Sequence, residues 1–171
     1  MQSPGSLLRF QVSRLRRHHA LEHATLQILA RRNPHQMLAG YSDLRGFWII
    51  GKVDTQDLQE AVDEALLRLR GGDYALAVHP NCGTNFAVSG LLAGSAAWLA
   101  MLGSGEGWRK KLDRLPVVIT LATLALIVAR PLGPLLQARL TTEAEPGNLT
   151  VRAIYCYENG HLLVHRVLTH H

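Results

Sequence analysis

Cysteine is nearly absent from this chain: Cys82 and Cys156 are its only two. That is too few for a disulfide framework and too widely spaced for a local Cys-x-x-Cys site, so both are weighed as site residues. Aromatic residues make up 6% and charged residues 18% of the 171 positions. There is no Gly-rich phosphate loop, no internal repeat, no low-complexity tract and no continuous apolar core of a signal peptide near Met1. These absences exclude a nucleotide-loop enzyme, a solenoid and a disordered tail. The length fits about one domain with a sizeable core. Net charge is +5 with a sequence pI near 9.7, which permits attraction to phosphates or anionic lipid without naming either.

The scarcest feature is charge in the middle of the chain. No Lys, Arg, Asp or Glu occurs from Tyr74 to Gly105, and Phe86 to Gly103 is almost wholly apolar or small. Leu115 to Ala129 is a second uncharged run, followed by Arg130, Pro131 and Pro134 and a further apolar patch through Leu136. A bilayer is spanned by roughly 20 apolar residues. The first run meets this length, and the second does so if Arg130 snorkels or faces its partner helix. The reading is a transmembrane helical hairpin over 86–138, with Trp108, Arg109, Lys110, Lys111 and Arg114 in its connecting turn; the alternative is a pair of core helices. The basic turn favours the cytoplasmic side, whereas residues 1–70, with ten Lys and Arg, resist export. The expectation is a bacterial inner-membrane protein, multi-pass, with cytoplasmic termini and the lipid bilayer as partner.

The flanks read as one small α+β domain interrupted by that hairpin: 1–85 as its N-terminal part and 139–171 as a β-hairpin completing it. Met1 to Gly5 is a loose end. Ser13 to Arg32 has Leu21, Ala24, Ile28 and Leu29 at helical spacing and stops at Asn33-Pro34. After a turn at Ser42-Asp43, Gly46 to Val53 is a β-type run. Asp54 caps a second helix with Leu58, Ala61, Val62, Ala65, Leu66 and Leu69 on its apolar face, ended by Gly71-Gly72. Tyr74 to His79 reads as a strand, and Asn148 to Tyr157 with His161 to Thr169 as a hairpin turning at Asn159-Gly160. The fold expected is a small antiparallel sheet with two packed helices.

Chemistry concentrates at His19-Ala20-Leu21-Glu22-His23. Residues four apart on a helix stand one turn above each other, so His19 and His23 can aim at one metal ion with Glu22 beside them. The ion acidifies a bound water, and a neighbouring carboxylate takes its proton, which makes Glu22 the candidate general base. The competing reading makes His18, His19 and His23 polar positions on an exposed basic face. A third ligand is available from His79 or Cys82, three apart in the polar loop His79-Pro80-Asn81-Cys82-Gly83-Thr84-Asn85; there Cys82 could equally be a buried thiol beside a helix cap at Thr84 or Asn85. Cys156, the pair His161 and His165, and Glu60 and Glu64 are further candidates. His170 and His171 are set aside as tail.

His19, Glu22 and His23 resemble the inverted-motif metallohydrolases, which include the pitrilysin-type and mitochondrial processing peptidases and the S-ribosylhomocysteine lyase. That resemblance implies a motif helix packed on an antiparallel sheet, zinc or iron on the two histidines, and an acid/base glutamate. By the lyase analogy Cys156 is the third ligand and Cys82 a proton-shuttling thiol. This chain departs from the peptidases in being much smaller and in carrying the apolar hairpin. A longer resemblance rests on Arg17 to Thr25, Gly46-Phe47-Trp48, the His79 to Asn85 loop and the two apolar runs. It is to a family of small two-span bacterial membrane proteins described only as a domain of unknown function, and it implies an architecture without an activity.

The expected function is therefore a membrane-anchored metal-dependent hydrolase. His19, His23 and His79 are its metal ligands, Glu22 and Cys82 its catalytic residues, Zn2+ or another divalent metal such as Fe2+ its cofactor, and a peptide or small amphiphile its substrate. The alternative is a noncatalytic membrane protein that binds a metal or tetrapyrrole through histidines, or a structural interaction protein. Nucleic acid is not expected as a partner, because Arg14, Arg16, Arg17, Arg31 and Arg32 lack aromatic stacking residues on their segment.

Overall fold

The computed structural model describes residues 4–159 and 162–170. The elements run α1 (Pro4–Arg32), β1 (Ala39–Asp43), β2 (Gly46–Ile50), α2 (Thr55–Arg70), a single 3₁₀ turn (Tyr74–Ala77), α3 (Gly83–Met101), α4 (Trp108–Asp113), α5 (Leu115–Leu136), β3 (Thr150–Asn159) and β4 (Leu162–His170). They fall into two units, Met1–His79 with Ala138–His171, and Pro80–Gln137. The chain is thus an α+β protein with a four-stranded antiparallel sheet in the order β1-β2-β4-β3.

In the first unit, α1 and α2 pack on one face of the sheet. Leu21, Ala24, Ile28 and Leu29 of α1 and the six apolar residues named above on α2 are buried together with Phe47, Ile49 and Val167. Helix α2 begins where its cap places it: Asp54 accepts a hydrogen bond from the Gln56 backbone N at 2.7 Å. Asp54→Ala should cost about 1 kcal/mol, read as a lower denaturation midpoint. Glu60 and Glu64 pair with Arg32, and Glu64 also with Arg68, so they brace α1 and α2, and among the described residues no group of three ligand-type side chains includes them.

Three local expectations need correction. Helix α1 starts at Pro4, so only residues 1–3 of the expected loose end lie outside the described residues. Ser42 and Asp43 end a strand that pairs with β2, in register Ser42 with Phe47 and Asp43 with Gly46, and the turn falls on Leu44-Arg45. Tyr74–Ala77 is a 3₁₀ turn because its carbonyls meet side chains of α1 where a strand would need a ladder. Gln27 Nε2 donates to the Leu76 and Val78 carbonyls, both at 2.9 Å, and His23 bonds the Ala77 carbonyl. Strands β3 and β4 pair as expected, with an irregularity between Val151 and Ala153. Gly160 and His161 of their connection lie outside the described residues.

The second unit is a pair of long helices joined through α4. Gly83–Met101 and Leu115–Thr141 are long and apolar enough to cross a membrane, with mean hydropathies of 1.2 and 2.0. Pro131 and Pro134 lie inside α5 without ending it, and the helix widens into a π-type turn at Gln137–Thr141. The polar residues here serve each other: Gln137 Nε2 donates to Asn85 Oδ1, and Asn85 Nδ2 donates to the Pro80 carbonyl at 2.7 Å. Gly133 leaves the room for this, since a Cβ there would lie 2.4 Å from Asn85 Oδ1. Cys82 caps α3, its thiol accepting from the Thr84 backbone N at 3.5 Å, so the cap is neither Thr84 nor Asn85.

Candidate metal centre

Helix α1 is buried on nearly every side from His18 to Leu29, and this carries polar side chains into the interior. His18 and His23 are 0% and 2% exposed, which excludes an exposed basic face for this stretch. His18 is bonded on both ring nitrogens, Nδ1 to the Asp43 carbonyl and Nε2 to Thr169 Oγ1, each at 2.6 Å. Burial holds its pKa below the usual histidine value despite the Asp43 carbonyl, which pulls the other way. It joins α1 to β1 and β4.

His19 and His23 stack one turn apart, with ring centroids 4.2 Å from each other and candidate ligand atoms within 4.8 Å. Each Nδ1 meets a main-chain oxygen, His19 that of Thr141 at 3.0 Å and His23 that of Ala77 at 2.7 Å. A carbonyl only accepts, so both Nδ1 atoms carry the proton, and in the neutral rings both Nε2 atoms keep a lone pair. This is the arrangement in which histidine ligands of metals are held. The His79 ring lies 5.6 Å from that of His23, on the segment that Gln27 and His23 tie down. Cys82 follows three residues later in the chain, a buried thiol outside any disulfide.

Glu22 turns toward the sheet. Its carboxylate accepts a hydrogen bond from the Ser42 hydroxyl, and the residue is 4% exposed. Gly40 stands against the same carboxylate: a Cβ there would lie 2.2 Å from Oε1. Gly40, Ser42, Gln27 and the two carbonyl partners of the histidines are the site residues that the sequence did not point to. A glycine inside a strand, marking close approach by another group, was the one available signal.

The remaining candidates serve elsewhere. Cys156 is exposed on β3, in register with His165, and among the described residues no group of three ligand-type side chains includes it. His165 is buried, with Nε2 3.0 Å from Thr55 Oγ1. His161 lies outside the described residues. Arg17 pairs with Glu143 at 2.7 Å, and Arg16 donates to the carbonyls of Arg139 and Thr142, so these arginines fasten the returning chain to α1.

Residues 14–154 match the model of a family described as a domain of unknown function, DUF6391. An uncharacterized protein of Picosynechococcus sp. (strain ATCC 27264 / PCC 7002 / PR-6) is 39% identical over 153 residues, covering 82% of this chain and 71% of that relative. No solved structure matches. The chain belongs to the DUF6391 family.

Proposed function

We propose that this DUF6391 protein is a membrane-anchored, metal-dependent hydrolase-like protein, with its metal on His19 and His23 and Glu22 as general acid/base. The carrying observation is the pair of stacked imidazoles whose Nδ1–H groups are both engaged by carbonyls, which fixes the tautomer that ligation requires. Tetrahedral zinc, or iron, takes a further protein donor. The segment 79–82 supplies candidates in His79 and Cys82, with Cys82 also able to act as a proton-shuttling thiol. A divalent ion held there supplies Lewis acidity toward a carbonyl or phosphoryl oxygen of a peptide or small amphiphile. Glu22 accepts and returns the proton, and Ser42 holds its carboxylate in place.

The hairpin is the anchor. Phe86, Leu91, Trp98, Ile119, Ile127 and Val128 are each more than half exposed, an apolar surface that water disfavours and hydrocarbon covers. The protein is assigned to the bacterial inner membrane with both termini cytoplasmic. His79 stands four residues before α3 in the chain.

A second reading has a specific observation behind it. The partners seen around the Glu22 carboxylate, Ser42 and Gly40, are on the sheet, which suits a structural buried acid in a noncatalytic metal or tetrapyrrole protein. Metal analysis of the detergent-purified protein separates the outcomes. Wild type should carry about one equivalent of zinc or iron, His19→Ala and His23→Ala almost none, and Glu22→Gln nearly the full amount with hydrolysis abolished. Equal metal in wild type and both histidine variants would defeat the metal assignment. Retention of function in Glu22→Gln would leave the noncatalytic site.

A further inference from the structure

The sheet has a second face. Side chains alternate along a strand, so Gly40, Ser42, Phe47, Ile49, His165 and Val167 face the helices, while Tyr41, Trp48, Arg166 and Tyr155 align in register across all four strands on the other side. An open groove of about 600 Å³ lies there, lined by Trp48, Tyr155, Tyr157, Arg166, Arg45 and Asp43 among others. That volume is within the range usual for small-molecule sites, roughly 300–1,000 Å³.

Arg166 is the unusual member. It is 6% exposed, its guanidinium lies over the Trp48 ring at 4.7 Å, and Nη2 donates to Asp43 Oδ1 at 2.7 Å. Its Nη1 is buried and has no hydrogen-bond partner among the described residues. A buried, unpaired N–H of a charged group is costly to leave unmet. Asp43 has little left to offer it, because its carboxylate also accepts from the Arg45 backbone N at 2.7 Å and from the Trp48 indole. Two guanidinium groups against one carboxylate leave the groove positive. Tyr155 and Tyr157 are 50% and 53% exposed, and the Tyr157 ring is 6.1 Å from that of Trp48.

We propose that this groove binds a planar aromatic anion, the ring stacking on Trp48, Tyr155 and Tyr157 and the anionic oxygen taking the unmet Nη1–H of Arg166. The occupant must combine both properties: an apolar ring alone leaves Nη1 unpaired, and a bare anion leaves the aromatic surface wet. A nucleoside monophosphate and an aromatic carboxylate share this chemistry. The site lies on the opposite sheet face from Glu22 and is independent of the metal centre.

The test uses the full chain in detergent with Trp98→Phe and Trp108→Phe, so that Trp48 is the only indole. Guanosine monophosphate, 4-hydroxybenzoate, guanosine and inorganic phosphate are titrated by fluorescence. At least one of the two aromatic anions should quench saturably, and guanosine and phosphate should each bind at least about tenfold more weakly. Tyr155→Ala should weaken binding about tenfold, with Tyr155→Phe near wild type. Arg166→Gln should abolish it; because that change also removes the guanidinium that pairs with Asp43, the exposed Tyr155 pair carries the decision if the variant does not fold. Absence of saturable quenching, phosphate binding as well as the aromatic anions, or binding unchanged in Tyr155→Ala would each overturn the proposal. So would quenching by phosphatidylglycerol vesicles alone, which would make the face a membrane-surface belt.

Discussion

Gly40→Ala should destabilise the helix–sheet unit by about 1–3 kcal/mol, and the cost should vanish once Glu22 is truncated. Gly40 has no positive φ, so alanine fits its backbone conformation and, by restricting the unfolded chain, would alone add stability. The obstacle is steric: the new methyl would lie 2.2, 2.7 and 2.9 Å from Glu22 Oε1, Cδ and Cγ. The end of a glutamate side chain ordinarily swings aside cheaply. Here it is buried, and moving it surrenders the Ser42 hydroxyl and leaves a carboxylate under-bonded in the interior. A double-mutant cycle of Gly40→Ala with Glu22→Ala, followed by chemical denaturation, measures this coupling. In the Glu22→Ala background Gly40→Ala should be neutral or slightly stabilising. An equal cost in both backgrounds would mean that the glycine serves the strand and not the carboxylate. On the proposed hydrolase reading, Gly40→Ala should also lower turnover without lowering metal content, because His19 and His23 bond the carbonyls of Thr141 and Ala77 and not β1.

The contrast between Glu22 and its surroundings shows which parts were readable before the fold. Helix α2 was legible to the residue, from its cap at Asp54 to its six buried apolar positions, because cap chemistry and helical period are local. The His19–His23 spacing was legible for the same reason, since one turn of helix sets which side chains meet. Strand β1 was not. Gly40 and Ser42 meet the Glu22 carboxylate, and β2 pairs with the whole strand, and neither contact leaves a periodic trace. Tyr74 to His79 has the composition of a strand, yet its carbonyls are claimed by His23 and Gln27, some fifty residues earlier. The tautomer of each site histidine was hidden too, since it depends on main-chain oxygens at Ala77 and Thr141, which any residue type would supply.

Stability should fall as the pH drops below about 6.5, and His165→Leu should remove part of that fall. Burial lowers the His165 pKa, against the opposing charge of Asp54 at the head of α2. The sign follows from linkage. With the folded value below the unfolded one, near 6.5, the unfolded chain binds more protons between the two. The contribution is therefore complete above about 6.5 and lost as pH falls toward the folded value, by at most about 1.4 kcal/mol per pH unit for one group. His18 shifts in the same direction, so wild type should lose stability faster than a single proton requires. Asp43 acts lower down: burial raises its pKa, but the hydrogen bonds and charge of Arg166 and the Arg45 N–H outweigh this and hold it below the ordinary aspartate value. Its contribution is present above about 4 and lost only as pH falls further. Leucine at 165 has a similar volume and cannot take a proton. Because His165 Nδ1 is buried without a hydrogen-bond partner among the described residues, the substitution removes an unmet polar atom and forfeits the contact with Thr55. His165→Leu should accordingly lie within about 1 kcal/mol of wild type at pH 7.5 and exceed it at pH 5, measured as denaturation midpoints across that interval. Parallel pH profiles for the two proteins would show that His165 keeps its proton affinity on folding and that the acid sensitivity arises elsewhere.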